Sequence, residues 1–177
     1  MIKKLHSFWI YCFNRWLTFI PFHVPRLWLL GRMLGGIGCR PSVLMGVQVR
    51  TPGNIVLGDH VVINGDVLLD ARGATITVGD NADIAPEAVI CTVSHDIHDD
   101  FHAAIRGAVT VEDYAWIGYR AIIMPNVRIG RGGVVEAGSV VTENVPPMAI
   151  ACGVPAKVIG RRRSALKYSK FYRPWFQ

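Results

Sequence analysis

The segment from Cys91 to His102 concentrates the titratable side chains in the middle of the chain. Three of the six histidines, His95, His98 and His102, lie within eight residues there, together with three aspartates. An imidazole exchanges its proton near neutral pH, which is what a weak hydroxyl or amine nucleophile requires of a general base. The segment therefore predicts acid–base catalysis. Its mixed nitrogen and oxygen donors leave a metal site as the alternative.

His95 is the strongest candidate for that base. It follows Ile90 by five residues, so a regular strand would position its backbone, whereas His98 and His102 lie further along the loop. A histidine that only bonds neighbouring backbone is the alternative for His95. Ser94 precedes it, but adjacent side chains on a strand point to opposite faces, so a serine–histidine pair is not expected.

Fifteen aliphatic residues recur with a period of six residues; we call this six-residue period the beat and these residues the beat residues. They form five triplets: Ile37, Val43 and Val49; Leu57, Ile63 and Leu69; Val78, Ile84 and Ile90; Val111, Ile117 and Ile123; Ile129, Val135 and Val141. Between the triplets the chain gains two, three, fifteen and zero residues, so every insertion falls at one phase of an eighteen-residue cycle. A chain that winds through three faces per turn tolerates insertions only at a corner, because elsewhere they would misalign the neighbouring coils.

The beat predicts an all-β solenoid, a parallel β-helix of about five coils over residues 36–160, with a long loop at residues 91–110. The aliphatic residues are expected to fill its axis. A β-sandwich is the alternative, but its strands alternate at period two with irregularly spaced turns. Glycines that follow the beat are expected where the backbone turns a corner, with φ positive or with no room for Cβ: Gly38, Gly58, Gly79, Gly118 and Gly130.

Residues 1–35 are aromatic and basic, and they predict a helical cap. A cap would cover the strand edges and core of the first coil. The apolar run that starts at Leu5 is interrupted by polar residues, namely His6, Asn14 and Arg15. Neither a secretory signal nor a membrane-spanning helix is therefore expected. A helix that lies on the inner face of the membrane is the alternative.

The net charge of +6 comes from the two ends of the chain. Residues 161–177 predict a basic tail with a short helix and an aromatic extension that packs on the coils or on a neighbouring subunit. No stripe of arginine and aromatic residues follows one face, so nucleic-acid binding is not expected. The four cysteines are scattered, which favours a reducing, cytoplasmic location. Cys91 and Cys152 are interpreted as small buried hydrophobes.

The later repeats resemble the hexapeptide-repeat acyltransferases, in particular the maltose, galactoside and capsule-sugar O-acetyltransferases and the xenobiotic acetyltransferases. The resemblance covers residues 34–163. It is carried by four motifs: VEDYAWIG at 111–118, VEAGSVVT at 135–142, VPP at 145–147 and GVPAKVI at 153–159. It implies a left-handed β-helix that assembles as a homotrimer. Acetyl-CoA would bind as co-substrate in the clefts between subunits, and no metal is expected.

The resemblance also implies roles for particular residues. His95 becomes the general base that takes a proton from the acceptor hydroxyl as that oxygen attacks the thioester, without an acyl-enzyme. A backbone N–H near Gly118 and Tyr119 would bind the oxyanion. The other residues expected to contact acetyl-CoA are Trp116 beside the site, Ala137, Gly138 and Thr142 along the pantetheine, and Lys157 and Arg161 at the phosphates. Candidates for acceptor binding, in a register shifted from that of the galactoside enzymes, are Asn64, Asp66 and Asp70.

The resemblance thus implies an acetyl-CoA-dependent O-acetyltransferase that acts on a saccharide or glycosylated intermediate. Three alternatives stay open: N-acetyl transfer to an amino sugar, a zinc enzyme like the gamma-class carbonic anhydrases, and an inactive trimeric scaffold. The carbonic anhydrases need two histidines five residues apart, and no two of His95, His98 and His102 have that spacing. The scaffold is disfavoured by the retained Pro-Ala-Lys motif.

Overall fold

The side chains of the beat residues form the core along the axis of a parallel β-helix. A computed structural model describes the backbone of residues 2–172 and the side chains of residues 7–172. Every beat residue pairs in register with the beat residues of the adjacent coils. Ile37, in the first coil, is 37% exposed, and the other beat residues are buried. The predicted left-handed parallel β-helix of about five coils is confirmed.

Each coil contributes three short strands separated by tight corners. Coil 1 contains β1 (Gly36–Ile37), β2 (Ser42–Val43) and β3 (Gln48–Arg50). Coil 2 contains β4 (Ile55–Leu57), β5 (Val62–Ile63) and β6 (Leu68–Asp70), and coil 3 contains β7 (Ile76–Val78), β8 (Asp83–Ile84) and β9 (Val89–Cys91). The long insertion follows as an antiparallel hairpin of β10 (Val93–His95) and β11 (Ala104–Arg106).

The last coils continue the same three faces. Coil 4 contains β12 (Val109–Val111), β13 (Trp116–Ile117) and β14 (Ile122–Ile123), and coil 5 contains β15 (Arg128–Ile129), β16 (Val134–Val135) and β17 (Val140–Val141). The first face stacks β1, β4, β7, β12 and β15; the second stacks β2, β5, β8, β13 and β16; the third stacks β3, β6, β9, β14 and β17. A closing hairpin, β18 (Ala149–Gly153) and β19 (Ala156–Arg161), extends the second face.

The corners after the first face explain the glycines there. Gly58 and Gly79 do not have positive φ, but a Cβ on either would lie 2.4 Å from an aspartate Oδ1 of the next coil. That aspartate is Asp80 or Asp113, and Asp113 accepts a hydrogen bond from the Asp80 N–H at 2.9 Å. Positive φ falls instead at the third residue after the beat, as at Asn81 with φ 56°. Glycine is therefore required at these positions because the neighbouring coil leaves no room for a Cβ, and not because φ is positive.

The N-terminal segment packs over the open end of coil 1. It consists of α1 (Ile2–Arg15), a 3-10 turn (Leu17–Phe19) and α2 (His23–Gly31), which we call the cap. Asn14 donates to the Val49 carbonyl at 2.8 Å and accepts from the Val49 N–H at 3.0 Å, as a neighbouring strand would. The buried side chains of Phe13 and Leu30 join the axial core. The predicted N-terminal helical appendage is thus present.

A buried arginine fastens the cap to the first coil. The Arg26 guanidinium donates to the Val43 carbonyl from Nη2 at 2.9 Å and also to the Ile20 carbonyl. Burial lowers the pKa of Arg26. Thr18 donates to the Val47 carbonyl at 2.7 Å. These bonds satisfy carbonyl groups that the first coil would otherwise expose.

The C-terminal tail differs from the prediction. Residues 162–172 form no helix and run without regular secondary structure back along the second face. Its contacts with the coils take the place of intrahelical bonds: the Lys170 N–H donates to Asn81 Oδ1 at 3.0 Å, and the Lys170 ammonium pairs with Asp83 at 2.7 Å. The predicted short helix is therefore wrong for these residues. Residues 173–177, the rest of the predicted aromatic extension, lie outside the described residues.

Replacing Gly79 with alanine should destabilise the protein. The new Cβ would lie 2.4 Å from Asp113 Oδ1 and 2.7 Å from the Asp113 backbone nitrogen, and overpacking of this kind costs about 1–3 kcal/mol. Gly53→Ala is the matched control, because nothing lies within 4 Å of its Cβ. Urea unfolding followed by circular dichroism measures both. Equal losses of stability in the two variants would contradict this account of the corner.

Candidate active site

Six of the twelve predicted site residues lie along one edge of the three-sided β-helix, which we call the prism. This second edge, between the second and third faces, is built from residues 64–66 in coil 2, 85–87 in coil 3, 118–120 in coil 4 and 137–138 in coil 5. Backbone hydrogen bonds join the successive corners: Glu87 N–H to the Gly65 carbonyl at 3.0 Å, Arg120 N–H to the Pro86 carbonyl at 3.1 Å and Gly138 N–H to the Tyr119 carbonyl at 2.7 Å. The sequence therefore orders this edge one coil at a time.

Residues predicted to bind the acceptor and residues predicted to contact acetyl-CoA lie in different coils of the second edge. Two of the residues predicted to bind the acceptor, Asn64 and Asp66, lie in coil 2. Four of those predicted to contact acetyl-CoA lie in coils 4 and 5: Gly118, Tyr119, Ala137 and Gly138. The structure thus places candidate acceptor and donor residues on a common edge with coil 3 between them.

Gly118 and Tyr119 were both predicted to supply a backbone N–H to the oxyanion, and only one of these two N–H groups is available. The Gly118 N–H already donates to the Val135 carbonyl at 2.8 Å, so it is not free. Within residues 2–172, the Tyr119 N–H has no hydrogen-bond acceptor. Gly118 serves instead to let the coils approach, because its Cβ would lie 2.6 Å from the Ala137 nitrogen. Tyr119 N–H is therefore the candidate donor.

Sequence reasoning missed an ionic group at the centre of the second edge. Arg120 Nε lies 2.6 Å from Glu87 Oε2. The hydrogen bond from Arg120 lowers the pKa of Glu87, assisted by one from Tyr119, and Glu87 in turn raises the pKa of Tyr119. Both Glu87 and Arg120 occupy the third position after a beat residue, with φ of 60° and 55°. That position was the only signal in the sequence.

Asn64 and Trp116 line a common cavity of about 680 Å³ on the second face. Asn64 Nδ2 donates to Asp83 Oδ1 and to the Ile84 carbonyl, both at 2.9 Å. Both amide hydrogens are thereby used, and the Asn64 carbonyl oxygen remains an acceptor. Trp116 was predicted beside acetyl-CoA, and the structure places it with the acceptor candidate. The tail supplies the outer wall of the cavity: Arg162, Tyr168, Ser169, Lys170, Phe171 and Tyr172.

Asp66 borders a second, smaller space next to that cavity. Asp66 is exposed, and with Asn64 and Tyr172 it lines a volume of about 370 Å³. Tyr172 and Asn64 border both spaces. Asp66 thus stays a candidate for acceptor binding.

Asp70, the third residue predicted to bind the acceptor, instead forms a buried ion pair. It is 4% exposed, and Arg72 holds both carboxylate oxygens, with Nε–Oδ1 at 2.8 Å and Nη2–Oδ2 at 2.7 Å. Burial by itself would raise the pKa of Asp70, but the hydrogen bonds and charge of Arg72, helped by Arg50, outweigh it and lower that pKa. With both oxygens occupied, Asp70 does not belong to the acceptor site proposed below.

His95 lies on a different edge from the other candidates. It ends β10 in the hairpin that leaves the prism between the third and first faces. The ring is exposed and stacks on the His102 ring, with centroids 4.0 Å apart and planes 5° from parallel. The ring and strand contacts found for His95 within residues 2–172 stay inside the hairpin. One chain by itself does not join His95 to the second edge.

The neighbouring aspartates shape the loop. Asp96 Oδ1 accepts from the His98 N–H at 2.9 Å, and Asp99 Oδ1 accepts from the Phe101 N–H at 2.8 Å. Such side-chain turns are typical of Asp in loops. Across residues 2–172, no group of three or more histidine, cysteine or acidic side chains converges as metal ligands would.

Cys91 is unsuited to nucleophilic attack. Burial raises the pKa of the Cys91 thiol, and the charge of Asp70 raises it further. The thiol donates to the Ile123 carbonyl at 3.4 Å. Since the thiolate is the reactive form, this environment supports the structural interpretation.

The remaining residues predicted to contact acetyl-CoA lie at the far end of the prism. Thr142 is exposed directly after β17. Lys157 and Arg161 are exposed on β19, and Lys157 pairs with Glu143 at 2.8 Å. An exposed pair of this kind contributes little to stability. The Lys157 ammonium can therefore exchange Glu143 for a phosphate at small cost.

Comparison with known proteins agrees with this architecture. Residues 108–143 match the family described as bacterial transferase hexapeptide (six repeats). The chain is 31% identical to the galactoside O-acetyltransferase of Escherichia coli (strain K12) over 134 residues, which cover 74% of this chain and 66% of the relative. It spans 43 to 66% of the length of the first curated relatives that it matches.

Two solved structures superpose on nearly the whole chain. A galactoside acetyltransferase in complex with coenzyme A aligns with a TM-score of 0.81 at 28% identity, covering 96% of this chain and 88% of that one. A hexapeptide-repeat-containing acetyltransferase from Vibrio cholerae O1 biovar eltor, complexed with acetyl coenzyme A, aligns with a TM-score of 0.80 at 29% identity, covering 91% and 87%. The chain belongs to the hexapeptide-repeat acyltransferase superfamily.

Replacing Arg72 with methionine should destabilise the protein in a pH-dependent way. The change leaves the buried Asp70 carboxylate with Arg50, at 3.5 Å, and the backbone N–H of residue 72, at 3.3 Å, and should cost about 1–3 kcal/mol at neutral pH. Because the folded-state pKa of Asp70 is lowered, its stabilising contribution is present above the unfolded pKa of about 3.9 and is lost as pH falls through the folded value. The difference from wild type should therefore shrink in acid.

Urea titrations at several pH values measure this difference, and two variants serve as controls. Asp70→Asn with Arg72→Met removes the stranded charge and should recover part of the loss. Arg128→Met removes an exposed arginine that pairs with Glu112 and should cost less than about 1 kcal/mol. A loss for Arg72→Met that does not vary with pH would contradict the electrostatic account of Asp70.

Proposed function

We propose that this protein is an acetyl-CoA-dependent acetyltransferase that transfers the acetyl group directly to a hydroxyl of a saccharide or glycosylated intermediate. The observation that carries the proposal is the order of the second edge, with Asn64 in coil 2 and Tyr119 and Gly138 in coils 4 and 5. The relatives support this proposal, since one is named a galactoside O-acetyltransferase and two of the solved structures contain coenzyme A or acetyl coenzyme A.

The cavity on the second face has the chemistry of a sugar site. Trp116 and Tyr172 are both 45% exposed and border it, together with the Asn64 carbonyl oxygen. Aromatic faces pack on the apolar faces of a sugar ring, while an amide oxygen accepts a hydroxyl hydrogen. A saccharide fits these walls better than a wholly apolar acceptor.

The separation of His95 from the second edge favours a site shared between subunits. The coils are stiff, so one chain cannot bend its hairpin edge onto its second edge. In a cyclic homotrimer, the hairpin of one subunit would face the second edge of the next. We therefore propose a homotrimer with three equivalent sites. The four cysteines, all free, are in keeping with a cytoplasmic location.

In the proposed reaction, His95 takes the proton of the acceptor hydroxyl as the hydroxyl oxygen attacks the thioester carbonyl. The carbonyl oxygen becomes negatively charged, and the Tyr119 N–H stabilises it. Collapse of this intermediate breaks the carbon–sulfur bond, and the coenzyme A sulfur receives the proton from the imidazolium. The products are the acetyl ester and the free thiol, and His102 keeps the His95 ring in place by stacking.

Replacing His95 with alanine should lower turnover by about two to four orders of magnitude, as expected for loss of a general base. The KM for acetyl-CoA should change little, because His95 is not part of the donor edge. Release of thiol in the presence of an acceptor measures both constants. His98→Ala is the matched control and should keep near-wild-type turnover, since His98 is exposed on the same loop. Unchanged turnover in His95→Ala would remove His95 from its role.

Mixed trimers test whether the site is shared. His95→Ala and Asn64→Ala chains, each of low activity, are unfolded together and reassembled in equal amounts. Random assembly gives about a quarter of the sites a native His95 from one chain and a native Asn64 from the next. Recovery of about a quarter of wild-type activity is expected. No recovery, with reassembly verified from two affinity tags, would place the site within one chain.

Replacing Lys157 with methionine should raise the KM for acetyl-CoA about tenfold, because one phosphate contact is lost, while kcat stays within about twofold. Acetyl-pantetheine lacks the nucleotide phosphates, so its KM should be the same for the variant and wild type. Glu143→Gln is the control, because it removes the Lys157–Glu143 ion pair but keeps the lysine, and it should not raise the KM for acetyl-CoA. A KM for acetyl-pantetheine that rises equally would contradict the phosphate role.

A further inference from the structure

The cap leaves an aromatic outer surface after its inner side has docked on coil 1. The side chains that fasten it are Asn14, Thr18 and Arg26. Seven aromatic side chains are more than half exposed there: Phe8, Trp9, Tyr11, Trp16, Phe19, Phe22 and Trp28. Rings of this kind favour the boundary between water and lipid, where an apolar body and a polar tip are both accommodated.

The same end of the protein carries charge of one sign. The sequence contains no acidic residue before Asp59, whereas seven lysines and arginines precede it. Arg15, Arg32 and Arg40 are exposed. None of the ion pairs found among residues 2–172 includes any of these three. The cap end therefore has uncompensated positive charge beside its exposed rings.

A cleft joins the two features. A volume of about 530 Å³ opens between α2 and coil 1, with an apolar wall formed by Val24, Leu27, Trp28 and Ile37. Arg32 and Arg40 line the same cleft, and the Arg32 guanidinium lies 4.7 Å from the Trp28 ring centroid. Guanidinium groups bind phosphate oxygens in a forked geometry. Two of them beside an apolar wall match a phosphodiester with a hydrocarbon neighbour.

We propose that the cap binds the surface of an anionic phospholipid bilayer, with its exposed rings in the interface and Arg32 and Arg40 at a headgroup phosphate. Within residues 2–172, no helix is long and apolar enough to cross a membrane. In this proposal the cap lies on the surface of the bilayer. In the trimer of the proposed function, the three caps point in one direction and bind together. The acceptor corner of coil 2 is then nearer the lipid than the donor corners of coils 4 and 5.

Sedimentation of the full-length protein with two kinds of vesicle tests this proposal. One kind contains equal parts of phosphatidylglycerol and phosphatidylcholine, and the other contains phosphatidylcholine alone. We expect binding to the anionic vesicles, weakened by salt, and little binding to the neutral ones. Arg32→Gln with Arg40→Gln should weaken binding at least about 25-fold, the loss for a single cap at about fivefold per cationic side chain. Trp9→Ser with Trp16→Ser should weaken it at least about tenfold.

Matched controls come from the hairpin. Phe101 is 93% exposed and Arg106 is exposed, so Phe101→Ser and Arg106→Gln remove the same kinds of side chain away from the cap. Both variants should bind vesicles like wild type, and circular dichroism verifies that every variant is folded. Tryptophan emission should shift to the blue only with anionic vesicles.

Three results would overturn the proposal: wild-type protein that stays in the supernatant with both vesicles, equal binding to both, or cap variants that bind like wild type. A fall in molar mass by light scattering in Trp9→Ser with Trp16→Ser, without any vesicle binding by wild type, would instead identify the cap surface as a contact between copies of the chain. None of these readouts depends on acetyl transfer, so the proposed function stands or falls separately.

Discussion

The in-register stacking of one aliphatic side chain on the next, coil after coil, constrains everything else in this protein. Ile63, Ile84 and Ile117 each lie directly opposite their neighbours and exclude water completely. A shift of one residue in any coil would turn an apolar side chain outward and a polar one inward. Extra residues are therefore tolerated only at corners. The longest insertion leaves the prism at such a corner, and this is why the hairpin that carries His95 can vary without disturbing the core.

The same constraint sets the spacing of the second edge. Successive coils of a parallel β-sheet lie about 4.8 Å apart, so coil 2 and coils 4 and 5 are separated by roughly 10–15 Å. Between them stands the ion pair of Glu87 and Arg120. Residues far apart in the sequence, such as Asn64 and Gly138, are brought onto one edge by register alone. The edge needs no loop to position it, which keeps its geometry rigid.

Sequence reasoning predicted the axis except at Ile37, which is 37% exposed, because the six-residue period arises directly from the packing of one coil on the next. It predicted less about the surfaces. The tail has no periodicity, and its course follows from single contacts such as Lys170 with Asp83, which no local pattern announces. Asp70 was a candidate for acceptor binding from its position in the sequence. In the structure its carboxylate is instead bound by the guanidinium of Arg72, two residues further along the chain. Trp116, predicted from the resemblance to contact acetyl-CoA, lines the cavity on the second face with Asn64, and its contact with acetyl-CoA stays a prediction.

The two edges also explain why assembly matters to the chemistry proposed for this fold. A hinge or a closing domain can bring distant residues together in many enzymes, but a prism whose core is packed along its whole length has no hinge. His95 leaves at the edge between the third and first faces, while Tyr119 and Asn64 lie on the second edge. In the proposed homotrimer, a second copy of the chain would supply the missing edge without bending either one. Stability and catalysis would then be separated, because the axis holds each chain and the proposed grooves between chains would hold the reacting groups.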